Sequence, residues 1–468
     1  MARRTALSLI LLIIAAAGLR AFCFTGLQIG DDIVYSHVAE HRLSGDPDIT
    51  NTQGARTGFM LAIVTSYAIF GPGEVSLVLY NVLCSIALVG VLFLLARKLF
   101  GEAAGLPAAL VAAVHPNLIR YASECHTDTP VALWISLAVL AFVHALEGDP
   151  KLRLRVLSGL LLGWAFLHKE SVVYMALFFA GHLLATKRSW KWYVPIALPV
   201  VAVALAEMLG FWAVTGNPLE RWAMIRKWHA GHYMAERYTT LGSILYRQFI
   251  ELPVLLFTPW WGNRYMGIIN LACLVTGAWS LLKRTPGAGL AAGWFLALYA
   301  GYCFWPSSFS PFLPGFFLFD WTLPALGAPL AAMFGSLPHR VPPVAVKVAM
   351  AGICVAAAVT LHTARNDGRP YSAGAREAGP WLRAHPNARV ITDDKTIEGL
   401  DFFEGHRPTR LYIPFQDVSI YDGAVVIVDK FWSQPGKWWS RPVPEIALHP
   451  PASWKKLHES DQIVIYRP

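Results

Sequence analysis

The chain has 468 residues, of which 55% are hydrophobic and only 15% are charged, against roughly 25% charged residues in typical soluble domains. This composition excludes an ordinary soluble protein. The net charge of +9 lies in short Lys and Arg clusters between apolar runs, which indicates membrane topology and not binding of nucleic acid. The six cysteines show no C-x-x-C spacing, so neither a disulfide framework nor a zinc site is predicted.

Apolar runs near the ~20 residues needed to cross a bilayer recur over the first three quarters of the chain, and they predict an all-α polytopic membrane protein with about eleven spans. The first span is predicted to be retained, with a cleaved signal peptide as the alternative. Alternate loops are basic, which predicts a cell (inner or plasma) membrane protein with a cytoplasmic N-terminus. The predicted spans are 5–27, 75–96, 104–119, 129–146, 155–168, 170–186, 192–214, 266–282, 288–305, 316–336 and 342–362.

Two helical segments are predicted in the first outer loop, residues 28–74. The first, "DDIVYSHVAEHRL", places Ile33 and Val38 loosely on one side, with Gly45 as a C-terminal stop. The second, "GFMLAIVTSYAIFG", has ~12 apolar-rich residues, which is short for a span. Both are interpreted as helices that lie at the membrane interface.

The acids at the start of the first segment are the main candidates for chemistry. Asp31 has two interpretations: an N-cap that accepts unpaired amides, or a general base that takes a proton from an acceptor hydroxyl. Because adjacent residues of a helix point in different directions, at most one of the two acids acts as the base, and Asp32 is predicted to be supporting. Tyr35, one turn later, shares the face of Asp31.

Two further ionisable residues lie beside predicted spans. Asp128 precedes Thr129 and Pro130 at the start of the fourth span, so capping is an alternative to a supporting role in a site. His126-x-Asp128 is a weak metal signal; no metal site and no certain cofactor are predicted, and a divalent cation stays an alternative. Lys169, between two apolar runs, suits a phosphate-binding point charge, with a snorkelling lysine as the alternative.

The predicted outer loop 215–265 contains an excess of bases that the positive-inside pattern does not explain. Two partners are considered equally: the head group of a polyprenyl phosphate, and anionic membrane lipids. The bases are Arg221, Arg226, Lys227, Arg237, Arg247 and Arg264.

The C-terminal segment changes character, becoming polar and proline-rich with short β-type runs. These runs are "ARVITDD", "TRLYI", "AVVIVDK" and "QIVIYRP", and a helix is predicted near 373–385. With an odd number of spans this segment is outside. The predicted organisation is a transmembrane catalytic domain, 1–362, and a small extracytoplasmic α/β domain, 363–468.

Several stretches resemble the multi-spanning GT-C glycosyltransferases of the protein O-mannosyltransferase and lipid A aminoarabinose transferase type, which use polyprenyl-phosphate sugars as donors. Besides an arginine late in the first span, Arg20, the matching stretches are "GDDIVYSHVAEHRLSGD", "FGPGEVSLVLYNVL", "LARKLFGEAAGLPAALVAAVHPNLIRYASECHTDTPVAL" and "SGLLLGWAFLHKES". The resemblance covers about the first 190 residues well; the rest agrees in layout.

The resemblance implies roles for individual residues. The first acid of the family's acidic pair, here Asp31, is the proposed catalytic base. Lys169 is implied to hold the donor phosphate, with Asp128 matching a further family Asp and Arg56 lying where relatives contact substrate. The chain departs from many relatives at Asp320, where they carry an arginine near the start of the tenth span.

These features predict an inverting glycosyltransferase that moves a sugar from a polyprenyl-phosphate donor to a protein, lipid or glycan acceptor outside the membrane. Lys169, Arg56, Arg226 and Arg237 are the predicted donor-phosphate residues. A transporter or flippase of a lipid-linked sugar, and a non-catalytic membrane binding protein, are the alternatives. A transporter is expected to show repeats and ionisable groups near the midplane, whereas here most such groups lie at span ends.

Overall fold

The computed structural model of the protein describes most of the chain. The described residues are 3–46, 51–147, 151–231, 240–257, 266–304, 306–309, 312–314, 319–339, 341–367, 371–406, 410–418, 421, 423–434 and 440–468.

The described residues form two compact units. The first unit contains Met1–Phe24, Asp48–Ala62 and Val78–Asp367. The second contains Thr25–Pro47, Ile63–Leu77 and Gly368–Pro468, so it combines part of the first outer loop with the C-terminal segment. The domain boundary at residue 362 stays a prediction.

The first unit is built from helices. Among the described residues, five helices are long and apolar enough to cross a membrane, and shorter apolar helices accompany them. A multi-pass membrane protein is therefore confirmed, while the number of about eleven spans stays a prediction. In chain order the helices are α1 (Arg3–Phe22), α3 (Thr57–Phe70, shared with the second unit), α4 (Glu74–Phe100), α5 (Gly105–Val114), α6 (Pro116–Arg120), α7 (Asp128–Ala145), α8 (Leu152–His168), α9 (Met175–Thr186), α10 (Val194–Thr215), α11 (Glu220–Gly231), α12 (Leu241–Tyr246), α13 (Leu252–Phe257), α14 (Met266–Leu282), α15 (Ala288–Phe304), α16 (Phe319–Phe334) and α17 (Pro343–Asp367), with a hairpin of strands β1 (Pro306–Phe309) and β2 (Phe312–Pro314).

The predicted span 104–119 is interrupted in the structure. Helix α5 ends just before Pro116, which lacks an N–H group and pushes the residue before it out of the helical conformation. The carbonyl groups left open at this end are partly satisfied by the buried guanidinium of Arg20, which donates to the oxygens of Ala113 at 3.0 Å and Ala112 at 3.2 Å. Arg20 in the first span thus ties α1 to the end of α5.

The second unit holds helix α2 (Asp31–Leu43), which confirms the first predicted helical segment, and a five-stranded sheet. The C-terminal elements are α18 (Ala373–Arg383), β3 (Arg389–Thr392), α19 (Asp394–Phe403), β4 (Tyr412–Pro414), β5 (Ala424–Asp429), α20 (Glu445–Leu448), β6 (Lys455–Glu459) and β7 (Ile463–Arg467). The strand order is β4-β3-β5-β7-β6; β3 pairs in parallel with β4 and β5, whereas β7 pairs antiparallel with β5 and β6.

The small α/β domain predicted for the C-terminal segment is confirmed. Four of its strands, β3, β4, β5 and β7, lie where the β-type runs predicted them. Strand β6 was not predicted, because its sequence "KKLHE" is polar: it is a half-exposed edge strand without an apolar alternation. The central strand β5 is buried along its whole length, which fits its continuous apolar run.

Two carboxyl groups are buried where β3 and β5 end. Asp393 caps α19, accepting the backbone N–H of Thr396 at 2.8 Å, and Asp429 accepts the N–H of Phe431 at 2.8 Å. A Cβ atom on Gly374 would overlap the Asp429 carboxylate, so α18 begins directly against it. Burial, and then the charge of Asp393, raise the pKa of Asp429 from 3.8 to about 7.

We expect the stability of this domain to fall as pH rises from about 4 to 7 and to level off above pH 7. In this interval the folded state retains a proton on Asp429 that the unfolded state has released, so each rise in pH favours the unfolded state until Asp429 also ionises in the folded state. In Asp429→Asn this dependence should largely disappear, and the variant should be more stable than the wild type at pH 8, by up to about 4 kcal/mol. Hydrogen exchange of the β5 amides in the full chain at pH 5 and pH 8 measures the effect.

The exposed Asp417 provides the control, since Asp417→Asn should leave the pH dependence unchanged. An Asp429→Asn variant with the pH slope of the wild type would contradict the assignment.

Candidate active site

The acidic pair lies at the start of α2, in the second unit, and its two members differ. The N-cap position is held by Gly30, with φ 125°, so Asp31 is the first helical residue and does not cap the helix. Asp32 is 3% exposed and accepts the backbone N–H of Gln28 at 2.8 Å, which fixes the loop that leads into the helix. Asp31 is half-buried, and Tyr35 is fully buried. Asp31 is therefore the more accessible carboxylate of the pair.

Asp128 and Lys169 meet inside the first unit. The Nζ atom of Lys169 lies 2.6 Å from Oδ2 of Asp128, and both side chains are buried, with exposed fractions of 6% and 0%. His126 Nδ1 lies 3.2 Å from the same oxygen. The helix cap of α7 is Thr127, and Asp128 is not its cap. Asp128 is therefore not a helix cap and Lys169 does not snorkel to the interface. The two residues form a buried ion pair.

The backbone next to Lys169 is held by a chain of buried polar groups. Trp134 Nε1 donates to the hydroxyl of Tyr80 at 2.8 Å, and that hydroxyl lies 2.8 Å from Nε2 of His168. Nδ1 of His168 lies 2.8 Å from the carbonyl oxygen of Trp164, so its proton is donated there and the hydroxyl of Tyr80 donates to Nε2. This chain fixes the end of α8, and Lys169 follows directly.

A second acid, Glu170, lies next to Lys169 in the sequence and is under the influence of several basic side chains. The charges of Arg56, Arg221 and Lys169 all act on its carboxylate, with Arg221 Nη2 at 3.5 Å. The predicted residues Arg56 and Lys169 therefore both exert their charge on one carboxylate. Glu170 is not among the predicted site residues, although it stands next to Lys169 in the sequence.

Arg221 is anchored from a second side. Its Nη1 donates to both carboxylate oxygens of Glu207, at 2.9 and 2.8 Å, and its Nη2 donates to the carbonyl of Phe166 at 2.9 Å. Thr57, the first residue of α3, donates its hydroxyl to Glu207 at 2.8 Å. Helices α3, α8, α10 and α11 therefore meet at this buried ion pair. The signal for Glu207 was present in the sequence, because an acid inside an apolar span requires a partner.

The remaining bases of loop 215–265 take different positions. Arg226 is exposed on α11, whereas Arg247 is 2% exposed in a π-helical turn, Arg247–Glu251. The next residue, Gln248, donates to the carbonyl of Cys303 at 2.6 Å. Arg237 and Arg264 lie outside the described residues, and so do the side-chain surroundings of Asp320. The bases of this loop therefore do not share one environment, although they lie in the same predicted loop.

The first unit thus contains a polar cluster of three acids and three bases, with His126 at its edge. Because acids and bases balance, an anion would be bound through N–H donors that the acids hold in position, and not through an excess of charge. An ammonium group has three N–H donors and the bond to Asp128 uses one of those on Lys169. The cluster residues are Asp128, Glu170, Glu207, Arg56, Lys169 and Arg221.

The cluster does not fit a metal ion. Within the part of the chain that the structure describes, no three His, Cys, Asp or Glu side chains converge as ligands. His126 and Asp128 are bonded to each other, and Asp128 also holds Lys169. The alternative of a divalent cation therefore has no donor set in these residues.

Comparisons with known proteins agree with the resemblance noted in the sequence. The profile of a family described as dolichyl-phosphate-mannose-protein mannosyltransferase matches residues 57–212, about a third of the chain. That region contains Asp128, Lys169, Glu170 and Glu207. Among curated proteins, none matches the sequence.

Solved structures extend the likeness to the whole chain. ArnT from Cupriavidus metallidurans in the apo state matches with TM-score 0.66 and 16% identity, covering 98% of this chain and 97% of that one. The same protein bound to undecaprenyl phosphate matches with TM-score 0.64, 17% identity and the same coverage.

A more distant match has the same type of fold. The oligosaccharyltransferase of Archaeoglobus fulgidus, tethered to an acceptor peptide, matches with TM-score 0.56 and 13% identity, covering 92% of this chain and 69% of that one. These likenesses confirm the predicted fold, a polytopic helical membrane domain followed by a small α/β domain.

We expect the Asp128 and Lys169 side chains to be strongly coupled. Asp128→Asn or Lys169→Met alone leaves a buried charge without its partner, which should cost about 3–5 kcal/mol of stability, whereas the double variant should cost less than either single variant. Thermal unfolding of the detergent-purified protein measures this.

Arg120→Gln is the control for that experiment. It removes an ion pair with Glu124 in which Arg120 is half exposed, so its effect should be within about 1 kcal/mol. Additive losses in the Asp128/Lys169 double variant would show that the pair is not coupled.

Proposed function

We propose that the protein is an integral membrane glycosyltransferase that moves a sugar from a polyprenyl-phosphate donor to a nucleophilic acceptor. The observation that carries this proposal is the polar cluster in the first unit, where the bases Lys169, Arg56 and Arg221 accompany three carboxylates. It lies in or next to the region that matches mannosyltransferases, in a fold shared with a protein crystallised with undecaprenyl phosphate.

The reaction requires a base and a stabilised leaving group. Asp31 takes the proton of the acceptor hydroxyl or amine as the acceptor atom attacks the anomeric carbon. The bond between that carbon and the phosphate oxygen breaks, and its electron pair leaves with the polyprenyl phosphate. One displacement of this kind inverts the anomeric configuration. Asp31 suits the base because it is the more accessible acid of its pair.

Lys169 and Arg56 hold the departing phosphate. The hydrogen bond to Asp128 directs the ammonium group of Lys169, so its N–H donors are oriented before the reaction starts. The charge of Arg56 acts on the neighbouring Glu170 carboxylate. Arg226 and Arg237 remain proposed donor contacts on the basis of their charge alone. Asp32 supports Asp31 by fixing the loop that leads into α2.

The acceptor site and the C-terminal domain are placed on the extracytoplasmic side by this proposal. The basic loops favour a cytoplasmic N-terminus in the cell membrane. Transfer from the lipid-linked donor then takes place at the extracytoplasmic face of that membrane. Acceptors of this class include proteins, lipids and glycans.

We expect Asp31→Asn to lower the transfer rate by roughly 10²–10⁴-fold without changing thermal stability, because the amide keeps the shape of the side chain but cannot take a proton. Purified protein and a synthetic polyprenyl-phosphate sugar, with mass spectrometry of the glycosylated acceptor, provide the measurement.

Asp32→Asn is the matched control. Its amide oxygen still accepts the Gln28 N–H group, so this variant should retain far more activity than Asp31→Asn. A fully active Asp31→Asn variant would remove Asp31 from the role of base. Movement of the lipid-linked sugar across vesicles with no glycosylated product would instead support the flippase alternative.

A further inference from the structure

The loop that leads into α2 is held by residues of the C-terminal segment, within the second unit. The hydroxyl of Ser372 donates to the carbonyl oxygen of Leu27 at 2.6 Å, and Glu74 accepts the N–H of the same residue at 2.8 Å. Arg376 of α18 forms an ion pair with this Glu74 carboxylate. Both polar groups of the Leu27 backbone are therefore fixed four residues before Asp31.

The next turn of α2 is fixed through Ser36. Its Oγ atom accepts the hydroxyl proton of Tyr67 at 2.9 Å and lies 3.1 Å from Nε2 of His406. Ser36 is fully buried, and it follows Tyr35 on the turn after Asp31. His406, which follows α19 by three residues, thus contacts the helix that carries the acidic pair.

His406 is itself held in an unusual conformation. Its backbone has φ 52°, in the left-handed region that non-glycine residues seldom occupy. Its Nδ1 atom lies 2.7 Å from Oδ2 of Asp401, and the side chain is 4% exposed. Because a carboxylate only accepts, Nδ1 carries the proton, and in the neutral ring Nε2 is left to accept from Ser36. Asp401 therefore orients the ring toward α2.

We infer that the C-terminal domain positions the general base, and that His406 is a positioning residue for Asp31. This inference rests on the proposed function. The domain contacts no reacting atom in this scheme; it fixes the loop before α2 at Leu27 and the second turn of α2 at Ser36, so that the Asp31 carboxylate keeps one orientation toward the acceptor. Small displacements of a catalytic group reduce rates strongly, which makes such anchoring effective.

The chain offers a matched pair of substitutions at His406. Asparagine tolerates the left-handed backbone and places an amide where Nδ1 was, so His406→Asn keeps the Asp401 contact and loses the reach to Ser36. His406→Gln places an amide where Nε2 was and can restore the Ser36 contact. His449→Asn, at a position where the side chain is 82% exposed, is the control for a histidine in the same domain.

We expect His406→Asn to lower kcat for sugar transfer by about 10-fold or more, with KM for the lipid-linked donor within about 2-fold of the wild type. His406→Gln should recover most of kcat, and His449→Asn should match the wild type. Ser36→Ala should lower kcat at least as much as His406→Asn, because it also removes the acceptor of the Tyr67 hydroxyl. Adding His406→Asn to Ser36→Ala should cost little more, because the contact between the two residues is already lost.

Amide hydrogen exchange tests whether α2 is anchored, and this measurement does not require sugar transfer. The amides of residues 33–40 should exchange several-fold faster in His406→Asn than in the wild type or in His449→Asn. If the wild type transfers no sugar from any donor, the proposed function fails while this measurement still tests the anchor. The inference would be overturned if His406→Asn kept the amide exchange and kcat of the wild type. It would also be overturned if His406→Gln lost as much kcat as His406→Asn.

Discussion

A charge that lies among apolar helices has to find its partner within the protein, because neither lipid nor water is there to solvate it. The ion pair of Lys169 with Asp128, and the pair of Arg221 with Glu207, satisfy this constraint. The first pair joins the start of α7 to the end of α8, and the second joins α10 to α11, so the charges fix which parts of neighbouring helices meet. The same arrangement concentrates N–H donors in one place.

In the second unit, contacts from the C-terminal segment hold α2, the short helix that follows the first predicted span. Helix α2 does not depend on its own contacts alone. Ser372, Arg376 and His406 of the C-terminal segment fix it through Leu27, Glu74 and Ser36. The C-terminal α/β elements thereby hold the helix that carries Asp31. The arrangement gives the C-terminal domain a physical role that its sequence, without a recognisable site of its own, did not indicate.

Several features were predictable because they depend on local pattern. Apolar runs predicted the helical membrane domain, and alternating or continuous β-type runs predicted strands β3, β4, β5 and β7. The predicted span 104–119 is interrupted at Pro116, although its composition is largely apolar. Pro116 has no N–H group to continue the helical hydrogen bonds. Strand β6 was missed because an edge strand does not need an apolar face. The prediction of Asp31 as the base remains a prediction.

The sequence by itself determined the class of protein, the approximate positions of its membrane helices, and the unequal chemistry expected of Asp31, Asp128 and Lys169. Composition and periodicity are sufficient for that, because burial in lipid acts on each segment separately. Only the tertiary structure decided that Lys169 pairs with Asp128, that Arg221 is committed to Glu207, and that His406 reaches Ser36. These contacts join separate elements of the fold, and their geometry depends on how those elements pack and not on spacing along the chain.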